Sequence, residues 1–312
     1  TKEEANAVWA AYVLDHPIYY WIQRAIALSD TSLYILVDSD YYLASTRAHL
    51  NDKIYAKIAE WVSLTVNDYS AYDLAMAYHD LIIEEINYAY KADGRTPEDA
   101  AWAHNIVGVL TGRGEAVCEG YAKTFQLLLN YSNVENVYVN GYAGGGHAWN
   151  MVRLDDGGWY WCDLTWDDEP ERFWGIDYNY FCVNSTQNVY WYYQDGGYII
   201  DQNHDGILDH ASFTDSHTPD PVSMDGMEFM YPLPEVSDMV YDGTLRDTFE
   251  VDGLQYAISG YRKVQLTGIM RTGYVQIPET VSYNGVTYSV NSIGAIYTNG
   301  IYLEMPIECY AD

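Results

Sequence analysis

The chain has 312 residues, with 15 Lys+Arg against 45 Asp+Glu and a net charge of −30. That balance argues against nucleic acid and anionic membranes as partners, because both demand a basic face, and it fits a soluble extracellular protein. An apolar share of 49% supports a real core, the length suggests one large or two medium domains, and no run of about 18 apolar residues marks a membrane span.

The chain opens on "TKEEANAVW", without an initiator Met or a signal-peptide pattern, as expected of a trimmed mature form. "KEEANAVWAAYVLD" predicts a helix that stops at His16-Pro17, since a residue before proline is pushed out of helical geometry. "IYAKIAEWVSLTV" and "YDLAMAYHDLIIEEINYAY" continue the helical theme. The second places Leu74, Tyr78, Leu81 and Ile82, then Glu85, Ile86 and Tyr90, at three-to-four spacing. "RTPEDAAWAHNIVGVL" predicts a further helix with Thr96 as N-cap, Pro97 in the first turn and Asp99 at the capping-box position. Gly112 and Gly114 break it ahead of Cys118. The histidines in "YHD" (78–80) and "AHN" (103–105) have no second ligand at i+4 and read as packed or capping side chains.

From residue 134 the period shifts towards two. "VENVYVNGY", "GHAWNMVRL" and "GWYWCDLTW" predict strands, with "DDGG" (155–158) as a hairpin turn. The polar stretch 194–226 reads as loop or linker, and 240–312 as short β-pieces separated by glycines. The expected division is an N-terminal helical extension at 1–69, a core at 70–235 and a β-rich module at 236–312.

Cys118 stands at the start of a helix whose apolar face carries Tyr121, Phe125, Leu128 and Leu129. Free amides and the helix dipole at that position favour a thiolate; the alternative is a small buried filler. A thiol nucleophile also needs a base and a group to orient that base, and His147 and Asp163 follow in order. A three-residue loop of Asp155, Asp156 and Gly157 would pair residues whose numbers sum to 312. It sets His147 opposite Thr165 and Asp163 opposite Trp149, with His147 and Asp163 diagonal on one face at about 7–8 Å. A two-residue loop would split them across the sheet. Singly, His147 reads equally well as a strand-end histidine and Asp163 as a turn cap; jointly, the order favours catalysis.

"VCEGYAKTFQLLL", "GHAWNMVRL" and "WYWCDLTWDD" resemble the three motifs of the transglutaminase-like cysteine enzymes, in their usual order. "AYHDLIIEEINYAY" and "AHNIVGVLTGRGEAVCEGYA" resemble the helices that precede the nucleophile in bacterial members, and "YFCVNS" the strand after the Asp motif. The resemblance covers roughly 70–190. It implies an α+β fold with a papain-like transglutaminase core, the nucleophile helix packed on an antiparallel sheet. By the same match Cys118 is the nucleophile, His147 the general base and acid, Asp163 its orienting partner, and Trp149 and Trp166 packing and substrate-pocket walls. The implied chemistry attacks an amide carbonyl through a thioester and requires no cofactor. Water as acceptor makes a peptidase or deamidase, and a lysine amine makes a cross-link. The expected partner is a protein or peptide, cell-wall peptide included, and the expected place is secreted or on a bacterial surface. The Cys118 amide is a natural oxyanion donor, and no side-chain partner for it stands out. A second class is a non-catalytic surface binding protein that presents a Tyr- and Trp-lined groove on the same fold, consistent with the 33 tyrosines.

Three smaller signals remain. "DQNHDGILDH" offers Asp201, Asn203, Asp205 and Asp209 at calcium-loop spacing, with Gly206 at the turn and Ser212 where a bidentate Glu is usual. A calcium site at 201–212 is the expectation, weak unless Asp215 substitutes for that Glu; an Asx-rich turn is the alternative. "GYVQIPETVSYNGVTYSVNSIGAIYTNG" (273–300) resembles one unit of the leucine-rich repeats of bacterial surface proteins. A stack needs about three units, so the start of an array or a small β-sandwich is expected, acting in adhesion or positioning. Cys118, Cys162, Cys182 and Cys309 are too few for a disulfide scaffold in a chain of this size, although one pair could bridge.

Overall fold

Helix α1 (Lys2–Asp15) ends where His16 meets Pro17, as the sequence predicts. In this computed structural model the described residues are 2–29, 32–65, 69–168, 176, 178–186, 188–189, 211–220, 222–224, 227–229, 232–241, 248–260, 263–271, 273–283, 286–293, 301–304 and 310–311. The N-terminal region is not helix throughout. β1 (Ile22–Leu28) and β2 (Leu33–Val37) pair antiparallel, because "LYILV" is β-branched and aromatic and has no helical stripe. The hairpin is tied back to α1 where the Trp9 indole donates to the Gln23 carbonyl at 3.0 Å.

α2 (Ala44–Ser63) buries Ile54, Ile58 and Trp61. α3 (Ala71–Glu85) starts at Ser70, whose hydroxyl oxygen accepts from the Asp73 amide. It stops short of the predicted Tyr90, because Ile86 turns extended. Asn87–Tyr88 (β3) then pair in parallel with Glu115–Ala116 (β4), which flank the next helix, α4 (Ile106–Leu110). Thr96 does not cap a helix. Asp93 captures its hydroxyl and its amide at 2.6 and 2.8 Å, so α4 begins later, with Asn105 accepting from the Val107 amide.

α5 (Cys118–Tyr131) buries Tyr121, Phe125, Leu128 and Leu129 as its apolar spacing predicts. Each such side chain contributes about 1.5–3 kcal/mol on burial, and Phe125→Ala would cost about 3–5 kcal/mol. The helix ends at Asn133, whose φ of 57° is the left-handed geometry that asparagine tolerates. β5 (Asn136–Tyr142), β6 (Gly146–Arg153) and β7 (Trp159–Cys162) follow, and α6 (Leu164–Asp167) leaves the last strand. β6 and β7 pair Asn150 with Cys162 through Arg153 with Trp159, the register the three-residue loop predicts. Gly157 supplies the left-handed residue at φ 83°.

The stretch 194–226 is not simply a linker. Asn188–Val189 (β8) pair with Ala211–Ser212 (β9). α7 (Phe213–Ser216) then leads into Thr218–Pro219 (β10), which adds to β5 and completes a four-stranded sheet in the order β10-β5-β6-β7. Val222–Met224 (β11) and Met227–Phe229 (β12) form a further hairpin. Thr248–Val251 (β13), Leu254–Gly260 (β14) and Lys263–Ile269 (β15) are consecutive antiparallel neighbours. Gly273–Gln276 (β16) pairs with Ile301–Glu304. Thr280–Tyr283 (β17) and Val286–Ile293 (β18) join the β13–β15 sheet. This C-terminal sheet is not separate from the rest. One apolar cluster runs from Trp61 and Tyr78 through Phe125 to Tyr256 and Tyr288, and the Tyr69 and Tyr288 hydroxyls meet at 3.3 Å. No helix among the described residues is long and apolar enough to cross a membrane.

Candidate active site

Cys118 begins α5 after Val117, whose backbone is extended and whose amide donates to the Ala103 carbonyl at 3.0 Å. The first turn fits there only because residue 120 is glycine. A Cβ at Gly120 would lie 2.6 Å from the Ala116 Cβ and 2.7 Å from the Ala103 oxygen. Cys118 is 7% exposed and shares a small apolar cluster with Ala10 and Leu14 of α1, Ala122, Tyr138 and Ala148. The N-terminal helix therefore covers the nucleophile side of the site.

His147 stands at the start of β6, paired with Gly141 of β5. Its Nε2 lies 2.6 Å from Asp163 Oδ2. β7 ends at Cys162, so the expected pairing of His147 with Thr165 does not form. Asp163 instead leaves the sheet as the N-cap of α6, where Oδ1 accepts from the Thr165 and Trp166 amides at 2.9 and 3.3 Å. The turn-cap role and the orienting role coexist on one carboxylate. Cys118 faces the His147 ring and helps it hold its proton. With Nε2 committed to Asp163, Nδ1 is the nitrogen left for the thiol.

Burial opposes charge on His147, but the Asp163 carboxylate and its hydrogen bond, helped by Cys118, outweigh it and hold the imidazole at about 10. Asp163 is buried too, which by itself would raise its pKa; His147 and His217 pull it well below the usual carboxylate range. A carboxylate oxygen only accepts, so both histidines present Nε2–H to it.

His217 escapes sequence reading, since it lies in the stretch taken for linker. Its Nε2 is 3.0 Å from the same Asp163 Oδ2. Gly141 admits it: a Cβ there would sit 2.3 Å from the Thr218 carbonyl and 2.4 Å from the Trp149 ring, blocking β10. Tyr88 is a second residue the sequence does not single out. It packs against the Cys118 cluster, because β3 pairs Tyr88 with Ala116 just upstream. The only sequence signal for it is the parallel β3–β4 contact, which local periodicity does not encode.

Trp149 is 1% exposed and packs behind the histidines, with ring centroids 5.9 Å from His147 and 5.0 Å from His217. Half-buried Trp166 lies 4.5 Å from His217 and 5.9 Å from His147 between ring centroids. Beneath α6, fully buried His79 bridges Asp80 at 3.0 Å and Asp167 at 3.1 Å. Burial opposes its charge, but the hydrogen bonds it donates to the two carboxylates hold it at about 9. The "YHD" histidine is thus a structural tie between α3 and α6. The "AHN" histidine, His104, reaches Glu119 at 2.6 Å and so braces the residue beside the nucleophile.

Asp201, Asn203, Asp205 and Asp209 lie outside the described residues, as does Cys309. Ser212 and Asp215 form a capping box on α7. Cys162 and Cys182 are buried thiols with sulfurs 3.4 Å apart. Among the described residues one cluster has metal-ligand atoms within 4.8 Å of one another, namely His147, Asp163 and His217. A tetrahedral ion with bonds of about 2.0–2.2 Å would hold its ligand atoms roughly 3.3 Å or more apart. The 2.6 and 3.0 Å contacts to one oxygen are instead hydrogen bonds.

A thiol at a helix start, facing an imidazole that is hydrogen-bonded to a buried carboxylate, is the arrangement of a cysteine nucleophile with its base and orienting acid. The core profile of the transglutaminase-like superfamily matches residues 57–164. The chain carries a transglutaminase-like domain. Its three polar site residues all fall inside that match. Three solved structures are similar to the chain. One described as a TGase has 15% identity and a TM-score of 0.35, over 47% of this chain and 45% of its own. A candidate cysteine protease from Cytophaga hutchinsonii has 17% identity and a TM-score of 0.27, over 41% and 44%. The periplasmic domain of TgpA from Pseudomonas aeruginosa has 21% identity and a TM-score of 0.23, over 36% and 48%. The chain thus spans less than half the length of each. No curated protein matches it.

Proposed function

We propose that this protein is a cysteine-dependent acyl-transfer enzyme acting on protein or peptide amides. The observation that carries this reading is the 2.6 Å hydrogen bond between His147 and buried Asp163, with the His147 ring facing Cys118 at the head of α5. The Cys118 thiolate attacks the amide carbonyl carbon, and the C=O pair moves onto oxygen. The Cys118 amide and the hydroxyl of Tyr88, which packs against the Cys118 cluster, supply the oxyanion donors. His147 then gives its proton to the leaving nitrogen, the C–N bond breaks and a thioester remains. Water or an amine, deprotonated by His147, attacks the thioester and releases the thiolate. Asp163 keeps Nε2–H occupied so that Nδ1 handles these protons. The charge of −30 favours an extracellular setting, and the C-terminal β-region is read as an adhesion or positioning module.

The test is the alkylation rate of Cys118 by iodoacetamide from pH 5 to 9, followed by peptide mass, in wild type and His147→Ala. Fast labelling near pH 6 that is lost in His147→Ala is expected, and an amine offered against water then identifies the acceptor. If Cys118 reacts in both proteins only near the free-thiol pKa of about 8.5, the chain is a binding protein on a catalytic fold.

A further inference from the structure

His217 is wholly buried, yet it has a complete set of polar partners. Nε2 faces Asp163 Oδ2 at 3.0 Å, and Nδ1 faces the Ser216 hydroxyl at 2.7 Å and the Phe213 carbonyl at 3.3 Å. Its ring stacks on Phe213 at 3.9 Å between centroids and lies against Trp149, Trp166 and Tyr180. Asp163 is fully engaged, with Oδ1 on the Thr165 and Trp166 amides and Oδ2 on His147 and His217.

We propose that His217 is a positioning residue for the reaction: by donating to the oxygen that also faces His147, it divides that oxygen's charge between two imidazoles and limits how tightly His147 keeps its proton. This rests on the acyl-transfer reading above, and it gives that reading something the Cys–His–Asp chain lacks. An imidazolium gripped by an unshared buried carboxylate is a poor acid for the leaving nitrogen, because general acid catalysis is best when the group's pKa lies near the working pH. A donor on the same oxygen weakens the grip without moving the ring. The titratable groups facing the pair are Cys118 at the head of α5 and Tyr88 on β3. Lys123 on α5 and Tyr138 on β5 face Cys118 from beyond it. None of these donates to Asp163 among its hydrogen bonds, so the sharing falls to His217 alone.

The test is imidazole NMR on full-length protein labelled with 15N-histidine, in EDTA, from pH 6 to 11. Wild type, His217→Phe and His217→Gln are compared, with signals assigned by loss on substitution. Wild-type His217 should carry its hydrogen on Nε2. His217→Phe keeps the ring packing and removes the donor, so the His147 midpoint should rise by about half a pH unit or more. His217→Gln, whose amide can still donate, should return it towards wild type. A midpoint that is unchanged, or that falls towards the ordinary 6.5, overturns the proposal; a fall is what loosened packing alone would give. Should His217→Phe not fold, an Nδ1–H tautomer in wild-type His217, or a Gln variant whose His147 midpoint departs from wild type, overturns it as well. The iodoacetamide profile separates the two ideas. A wild-type Cys118 that is not activated removes the acyl-transfer reading, while an activated Cys118 with an unmoved His147 midpoint removes only the role of His217.

Discussion

Asp163→Asn isolates the charge on which the site depends. The carboxamide keeps an oxygen for the Thr165 and Trp166 amides, so the α6 cap survives. What is lost is the anion that holds His147 at about 10, and a drop to the ordinary 6.5 corresponds to roughly 5 kcal/mol of coupling. Breaking a buried pair of this kind costs about 3–5 kcal/mol of stability. His147 has its folded pKa raised, so its contribution is complete below 6.5 and is lost as pH rises through about 10. Asp163 has its folded pKa depressed, so its contribution is complete above 3.8 and is lost as pH falls through the lower folded value. These are two views of one interaction, and the stability gap between wild type and Asp163→Asn should be widest between 3.8 and 6.5. Urea midpoints at pH 3, 5, 7 and 10 measure it. At pH 7.5 the protonated share of His147 should fall from nearly all to about a tenth or less, and Cys118 alkylation should slow about tenfold or more with it. A gap independent of pH, together with an unchanged alkylation profile, would refute the coupling.

Two further outcomes are expected. Gly120→Ala forces a Cβ to within 2.6 Å of the Ala116 Cβ; the first turn of α5 must shift, costing about 1–3 kcal/mol by thermal melting and slowing Cys118 alkylation although no polar group is touched. His79 is raised to about 9 by buried carboxylates, so its stabilisation is complete below 6.5 and fades as pH rises through 9. Wild type should lose urea resistance over that range, while His79→Phe, which leaves Asp80 and Asp167 facing each other, should be about 3–5 kcal/mol weaker at pH 6.

Where chain neighbours decide the outcome, the sequence sufficed. The four apolar residues behind Cys118 lie one helical face apart, and they are buried as that spacing demands. The β6–β7 register follows from a loop of fixed length with a glycine at its left-handed position. Cys118, His147 and Asp163 could therefore be placed in order before any coordinates. Local pattern misled at Thr96, because Asp93 three residues earlier offers the hydroxyl a closer partner than a helix start does. It also misled at 22–37, where β-propensity without a stripe was passed over among helices. Only the tertiary structure decided that α1 and Tyr88 pack against Cys118, and that His217 joins Asp163 across 54 positions of chain. A hydrogen bond between residues that far apart leaves no periodicity in either segment. It exists because Gly141 leaves space for the backbone of β10 where a methyl group would collide.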